Sequence, residues 1–348
     1  MQFTHDPTDF RLQLNARAGE LGFRRVGVAS LDQSDALAHL DQWLADEFHG
    51  QMSWMERGRD LRAHLSQVHP DARRIVLGVT DYLPPDTDPW GVIGNPEKAY
   101  LSRYALGRDY HKTLRKRMKG LAQSLSPFIQ PHGFRVFADS APVLEKHFAE
   151  QAGLGWIGKH TLVLSRDAGS WSFISGFLTD APLPTTHEPE QPRCGSCTAC
   201  IDICPTQAIV APYRLDARRC ISYHTIEMTG PIPDEFRQPM GNRVFGCDDC
   251  QLICPWNRYA DTGDDQFNPR HGLESPDLLA LWAWSRVEFD QRTQGMAIRR
   301  AGYDKFRENL LIAMGNALPN PAIAGALAAC QPETDAQAEH LRWALSRG

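Results

Sequence analysis

The chain has 348 residues, 42% of them hydrophobic, enough to bury a substantial core and to divide into two or three domains. Its 37 basic and 42 acidic side chains leave a net charge of -5, so no global positive field marks a nucleic-acid binder and any such contact must come from local patches. The opening MQFTHDPTDF lacks the apolar run of a secretion signal and no stretch is long enough to span a bilayer, which predicts a soluble cytoplasmic protein with no membrane partner.

Apolar residues at helical spacing predict amphipathic helices over residues 8–21 (Phe10, Leu14, Leu21) and 34–48 (Leu37, Leu40, Trp43, Leu44), with a weakly alternating strand at 25–29 between them. Residues 52–59 gather Met52, Trp54, Met55, Arg57 and Arg59, suited to a surface helix or to a pocket wall. The β-branched run 75–79 predicts a strand, and the Pro/Gly-rich loop after it suits a ligand-facing edge. Within 103–125, Arg108, Lys112, Arg115 and Lys119 share one helical face, with Lys116 beside them. Such a stripe is either solvated surface or a contact for phosphates.

Residues 134–138 read as a strand that delivers Asp139. Its carboxylate either caps a helix predicted over 143–152 or faces a ligand cleft, where burial would raise its pKa and ready it to give a proton. The segment AGLGWIGK at 152–159 fails the G-x-G-x-x-G spacing and follows a helix, so it predicts a tight turn near a ligand, flanked by Trp156, Lys159 and His160. Strands at 161–164 and 171–174 are expected to pair across 165–170, and the proline-rich 181–192 to mark a domain boundary.

Eight of the nine cysteines follow. Cys194, Cys197, Cys200 and Cys204 precede Pro205 with the C-x2-C-x2-C-x3-C-P spacing of two-cluster ferredoxins, and Cys247, Cys250 and Cys254 repeat its C-x2-C-x3-C-P end with the leading cysteine moved upstream to Cys220. In that pattern the last cysteine of each run serves the other cluster. The expected sets are Cys194, Cys197, Cys200 and Cys254 around one [4Fe-4S] cluster, and Cys204, Cys220, Cys247 and Cys250 around the other. Structural zinc competes, since it also uses short C-x2-4-C pairs, but it gives no reason for the triplet or for a C-x3-C-P ending in both halves. A radical S-adenosylmethionine loop would need a cysteine at Gln207 or Asn257, so both clusters are expected to be fully ligated and to carry electrons.

Arg218, Arg219, Tyr223 and His224 fall between the cysteines, and 231–239 reads as an open loop. Helices are predicted over 277–284, 303–318, 322–329 and 336–345, with the look of an incomplete HEAT-type stack. Arg292, Arg299, Arg300, Lys305 and Arg307 form a second basic patch, and Cys330 reads as a buried structural thiol.

The runs DSAPVLE from Asp139, GLGWIGKH from Gly153, CGSCTACIDICPTQAI from Cys194, CISYHTIE from Cys220 and GCDDCQLICPWN from Gly246 together resemble the epoxyqueuosine reductases, cobalamin-dependent iron–sulfur enzymes of queuosine synthesis. The resemblance implies an α+β multidomain chain: an α/β-type cobalamin-binding N-terminal domain (1–186), a ferredoxin-like domain with two [4Fe-4S] clusters (187–265) and C-terminal HEAT-like helical repeats (266–348). It implies reduction of epoxyqueuosine to queuosine at the wobble position of tRNA, with reduction at a corrin cobalt and Asp139 as proton donor. Cobalamin surroundings map onto Arg57, Asp139, Lys159, His160, Ser222 and His224, the last standing where some relatives carry an aliphatic residue. Arg108, Lys112, Arg115, Lys116, Lys119, Arg299 and Arg300 are the expected tRNA contacts. An external low-potential donor such as flavodoxin or ferredoxin, and a monomer, complete the expectation. Two other classes share these features: a reductive dehalogenase-like or cobalamin-processing reductase acting on a small molecule, and a two-cluster electron carrier, for which the region before the cysteines is excessive.

Overall fold

The structure is a computed structural model that describes residues 3–85, 87–129 and 133–348. Asp6 opens the first helix, Pro7–Glu20, by accepting from the N–H groups of Thr8 and Asp9, with Pro7 in the first turn where its missing N–H costs no helical bond. The strands Arg25–Ala29, Arg74–Asp81, Ser172–Thr179 and Phe134–Phe137 lie side by side in that order, each antiparallel to its neighbour. Alternation across the pleat sends Val26, Val28, Val76 and Phe177 into a core with Phe10, Leu14 and Met118, and Ile75, Leu77, Val79 and Leu178 into a second core with Phe137 and Phe148. Both faces of the central strands are therefore covered, and this explains the unbroken apolar run at 75–79.

Three expectations are corrected here. Val163–Leu164 pairs with Trp156–Ile157 and not with the later strand, leaving only a bridge between Ser165 and Gly169 of the expected hairpin. Phe177 and Leu178 bury on opposite faces at the sheet centre, and a local hairpin would forgo that burial. Glycine at 155 permits the alternative pairing, since a Cβ there would stand 2.1 Å from the Leu164 carbonyl oxygen. The basic helix starts at Tyr110, not 103, because Asp109 caps it by accepting from His111 N–H. The expected open loop at 231–239 holds a helix, Asp234–Met240, with Asp234 and Glu235 favouring its N-terminal end and Phe236 and Met240 buried against Ile221, Ile232 and Ile312. Pro239 falls in its last turn, where the lost hydrogen bond matters least.

The C-terminal helices Leu278–Trp282, Arg286–Arg292, Pro321–Ala328 and Asp335–Leu345 gather around Gly302–Asn316, which is buried on most of its circumference. That helix also packs on Asp234–Met240 and on the strand Arg243–Phe245, which pairs parallel with Tyr100–Leu101. One hydrophobic core accordingly contains Ala99, Leu101 and Leu106, then Val244 and Phe245, then Leu281, Phe289, Phe306, Leu310 and Leu341. Residues from all three parts of the chain are bound into it. Among the described residues no helix is long and apolar enough to cross a membrane.

Candidate functional site

Two short helices, Ala199–Asp202 and Asp249–Leu252, each carry one cysteine and pack against each other. The cysteine loops flank them, and the thiols fall into two electrostatic neighbourhoods. Cys200 feels Cys254, Cys194 and Cys197, and Cys254 feels Cys194 and Cys197. Cys250 feels Cys220 and Cys204, Cys220 feels Cys204, and Cys247 feels Cys250. The neighbourhoods touch where Cys250 also feels Cys200. Burial pushes Cys200 up to about 11 and Cys247 and Cys250 well above the ordinary thiol range, an arrangement that favours a cationic occupant able to hold them as thiolates. None of the nine cysteines is in a disulfide. Among the described residues no three His, Cys, Asp or Glu side chains converge tightly enough for a single metal ion.

The second cysteine set is braced by buried polar groups. Arg243 forms a paired hydrogen bond with Asp249 beside Cys247. Between Cys247 and Cys250, the buried Asp248 accepts from Tyr100 Oη at 2.7 Å, from Ser102 Oγ and from the Arg103 backbone N–H at 2.8 Å. Tyr104, the next residue, feels the charges of both Asp248 and Asp139.

Asp139 stands just past the strand Phe134–Phe137 with φ +59°, in the left-handed region that aspartate tolerates better than most residues. The tight turn lifts its carboxylate off the sheet toward the start of the basic helix. Tyr110 Oη donates to Asp139 Oδ2 at 2.8 Å, and His111 Nε2 lies 3.0 Å from the same oxygen. On the other side of the imidazole, Asp109 Oδ1 sits 2.7 Å from Nδ1. One aspartate thus caps the helix and orients the histidine in its first turn. Tyr110 is fixed by stacking on Phe173 at 4.2 Å and 9° and on His111 at 4.1 Å.

Burial works against charge on His111, but hydrogen bonds to Asp109 and Asp139 and the fields of both carboxylates outweigh it, and its pKa stands at about 9. For Asp139 burial acts to raise the pKa, yet hydrogen bonds from His111 and Tyr110, then the charges of His111 and Arg300, hold the carboxyl below its usual range. The expectation of a burial-raised Asp139 is corrected: near neutral pH the carboxylate is ionised and the proton resides on His111. Asp139 caps no helix either, because the next one is Glu145–Gln151, whose N-cap is Leu144. Behind Asp139, burial and the Asp139 charge push Glu145 well up, while burial pulls Lys146 down. Burial and Lys146 lower His160 to about 4.

The remaining expected residues separate. His160 is buried, its Nδ1 accepts from Leu162 N–H, and its Nε2 has no partner. Lys159 donates through Nζ to the carbonyls of Gly195 at 2.6 Å and Cys197 at 2.9 Å, so it ties the glycine-rich turn to the first cysteine loop. His224 is a buried histidine tilted against Phe236, with burial lowering it to about 4 and Nε2 unpartnered. Ser222 offers its backbone N–H to the Cys220 sulfur. Arg57 ends the exposed short helix Trp54–Arg57. Arg108, Lys112, Arg115, Lys116 and Lys119 are all exposed and none has an acidic partner within 4.0 Å among the described residues. Arg299 reaches Asp290 at 3.6 Å, whereas Arg300 pairs with Glu227 at 2.7 Å and its charge reaches Asp139 and Tyr104. Asp109, Tyr110, His111 and Glu145 went unassigned from sequence. The D-Y-H run at a helix start was their one signal.

Residues 193–257 match the family described as "4Fe-4S double cluster binding domain" and residues 62–140 the family described as "Epoxyqueuosine reductase QueG, DUF1730". The chain is 49% identical to the epoxyqueuosine reductase of Pseudomonas aeruginosa over 344 residues, covering 98% of this chain and 95% of that one. It is 47% identical to that of Escherichia coli K12 over 329 residues, with coverage of 94% and 86%. A crystal structure of an epoxyqueuosine reductase with a tRNA-Tyr epoxyqueuosine-modified tRNA stem loop is similar at TM-score 0.86 and 25% identity, over 98% of this chain and 91% of that chain.

Proposed function

Because the chain belongs to the epoxyqueuosine reductase family, an oxidoreductase family, we propose that it removes the epoxide oxygen of epoxyqueuosine at the wobble position of tRNA, with cobalamin and two [4Fe-4S] clusters as its cofactors. One observation carries the reading: Asp248, between two cysteines of the second set, accepts from the Arg103 N–H, and the next residue, Tyr104, packs at 6.1 Å on Tyr110, whose Oη donates to Asp139. On this reading the proton source and the electron source adjoin one packed path. Deoxygenating an epoxide to an alkene consumes two electrons and two protons and releases water.

The two thiol neighbourhoods fit two clusters ligated by Cys194, Cys197, Cys200 and Cys254, and by Cys204, Cys220, Cys247 and Cys250. The unpartnered His160 Nε2 and Glu145 Oε1, buried atoms behind Asp139, fit the amide-bearing rim of a corrin, and Ser222, His224 and Arg57 are further candidates to hold it. Bound there, cobalamin would supply the open coordination site that clusters with four thiolates lack. Within the protein, His111 stores one of the two protons and Asp139 Oδ2 passes it to the leaving oxygen, while the second, which completes the water, comes from solvent. Tyr110 Oη fixes that oxygen's direction, and Arg300 helps keep Asp139 ionised until the proton moves. The reading further takes the sheet region as the cobalamin-binding unit, the C-terminal helices as HEAT-like and the enzyme as a monomer.

A single-stranded anticodon loop can splay its modified base into this site while phosphate contacts hold the arm. The exposed stripe Arg108, Lys112, Arg115, Lys116 and Lys119 begins beside His111 and suits that second task. Replacing Lys112, Arg115 and Lys116 together with alanine is expected to weaken binding of an anticodon stem loop and to lower the slope of log affinity against log salt by about 2–3 units. An unchanged slope in a titration across salt concentrations removes the stripe from the interface. The function itself is tested by anaerobic reconstitution with cobalamin, iron and sulfide, reduction, and mass spectrometry of epoxyqueuosine-bearing tRNA. Loss of one oxygen from the nucleoside is expected; full cofactor content with no such loss refutes it.

A further inference from the structure

The two cysteine sets differ in how they meet solvent. Cys197 is the one thiol among the nine that is exposed, and Gly195, Ser196 and Thr198 around it are exposed as well. In the other set Cys247 and Cys250 are only partly accessible, and burial dominates their surroundings. Asp248 between them is braced by Tyr100 and Ser102 and lies on the side of Tyr104 and Asp139. Through Cys197 the first set reaches solvent, although its Cys200 is buried, while the second set adjoins the acid site.

The rim of the outward set is apolar. Val210, Tyr213 and Ile253 are 45%, 47% and 37% exposed, high values for large hydrophobic side chains. Each lies beside the first cysteine set. Val210 lies on the strand Ile209–Ala211, which packs on the helix carrying Cys200. Tyr213 feels Cys194, and its backbone N–H donates to the carbonyl of Lys159, whose ammonium holds Gly195 and Cys197. Ile253 directly precedes Cys254. Around them stand exposed cations. Arg258 has no acidic partner within 4.0 Å among the described residues, and Arg193 reaches only Glu190 at 3.9 Å. Three acids lie among them: Asp202, to which Thr198 Oγ1 donates at 2.7 Å, Glu190 beside Arg193, and Glu150, whose charge reaches Tyr213.

We propose that this face is the docking surface for the reductant, a small acidic flavoprotein whose flavin lies at its surface. The inference rests on the reading that the cysteines hold two clusters. A shallow apolar ring with cationic edges suits brief encounters with an acidic protein, and the thin loop over Cys197 lets the two redox groups approach closely. Each encounter oxidises the carrier by one electron and reduces one [4Fe-4S] cluster by one electron. Two encounters supply the pair that epoxide removal consumes.

The test uses reconstituted holoenzyme and reduced flavodoxin as the probe, with cluster reduction followed anaerobically by stopped-flow absorbance. Tyr213→Glu and the double variant Arg193→Glu/Arg258→Glu are expected to slow reduction by flavodoxin at least about tenfold and to flatten its dependence on salt. Iron and sulfide content, and the rate of reduction by dithionite, are expected to stay at wild-type values. Flavodoxin rates unchanged in both variants overturn the proposal. So does a loss confined to stem-loop RNA binding, which would make this face part of the RNA interface. Holoenzyme lacking iron would bring down the cluster reading itself, and iron analysis separates that failure from a misplaced docking face.

Discussion

Replacing His111 with glutamine is expected to slow single-turnover deoxygenation by about 10²- to 10⁴-fold, as much as Asp139→Asn does, and the double variant is expected to be little slower than either single one. The basis is the shared proton: His111 Nε2 and Tyr110 Oη both bond to Asp139 Oδ2, and Asp109 holds the far side of the ring. Since His111 stands at about 9, the wild-type rate should hold through neutral pH and fall as pH rises through about 9, when the stored proton is lost. Had Asp139 carried the proton on a moderately raised pKa, the fall would come well below that. The stability linkage has the same sign. His111 is raised above its ordinary 6.5, so its contribution is complete below about 6.5 and disappears as pH rises through about 9. Asp139 and Asp109 are lowered from 3.8, so theirs is present above that value and is lost as pH falls through their folded-state pKa values. A His111→Gln enzyme with intact cofactors, a wild-type rate and the same alkaline limb would refute the unit.

The sequence exposed this site unevenly, for physical reasons. Cysteine spacing is local, because short loops bring successive thiolates onto one face, so the eight candidates stood out directly, whereas their crossed division into two sets is part of the proposal. Asp139 stood out as an acid at the end of a strand, but its charge state depends on a histidine from another element, and no local pattern encodes that distance. Lys159 looked like a ligand residue because it follows a glycine-rich turn. Its partners, the carbonyls of Gly195 and Cys197, become visible only when the chain folds. The same holds for Arg300, which shares a basic patch in sequence with Arg299 yet turns to Glu227 and the acid site. Helices with one apolar stripe, such as Pro7–Glu20, were predicted within a residue or so at each end. The strand Ser172–Thr179 found its partners among strands distant in sequence, where burial on two faces outweighed the nearer hairpin. The helix Asp234–Met240 was hidden by its prolines: Pro233 stands at the N-cap, where no helical N–H is lost, and Pro239 costs one hydrogen bond in the last turn.

Substituting Cys254 with alanine is expected to remove the same cluster as substituting Cys194, although the two residues lie in opposite halves of the motif, while Cys220→Ala removes the other. Each variant should retain about four of about eight iron atoms per chain. Combining Cys194→Ala with Cys254→Ala should cost no further iron, and combining either with Cys220→Ala should leave almost none. This follows from the neighbourhoods: Cys254 feels Cys194 and Cys197, and Cys220 feels Cys204. The functional consequences should divide as well. Without the outward cluster, reduction by a carrier protein fails but a small chemical reductant can still reach the inner one. Without the inner cluster, which shares Asp248 and Tyr104 with the acid site, turnover fails with either reductant. Iron analysis with electron paramagnetic resonance of the reduced variants decides the matter. If Cys254→Ala instead erased the signal lost in Cys220→Ala, each half of the motif would close its own cluster, and the crossed arrangement would be wrong.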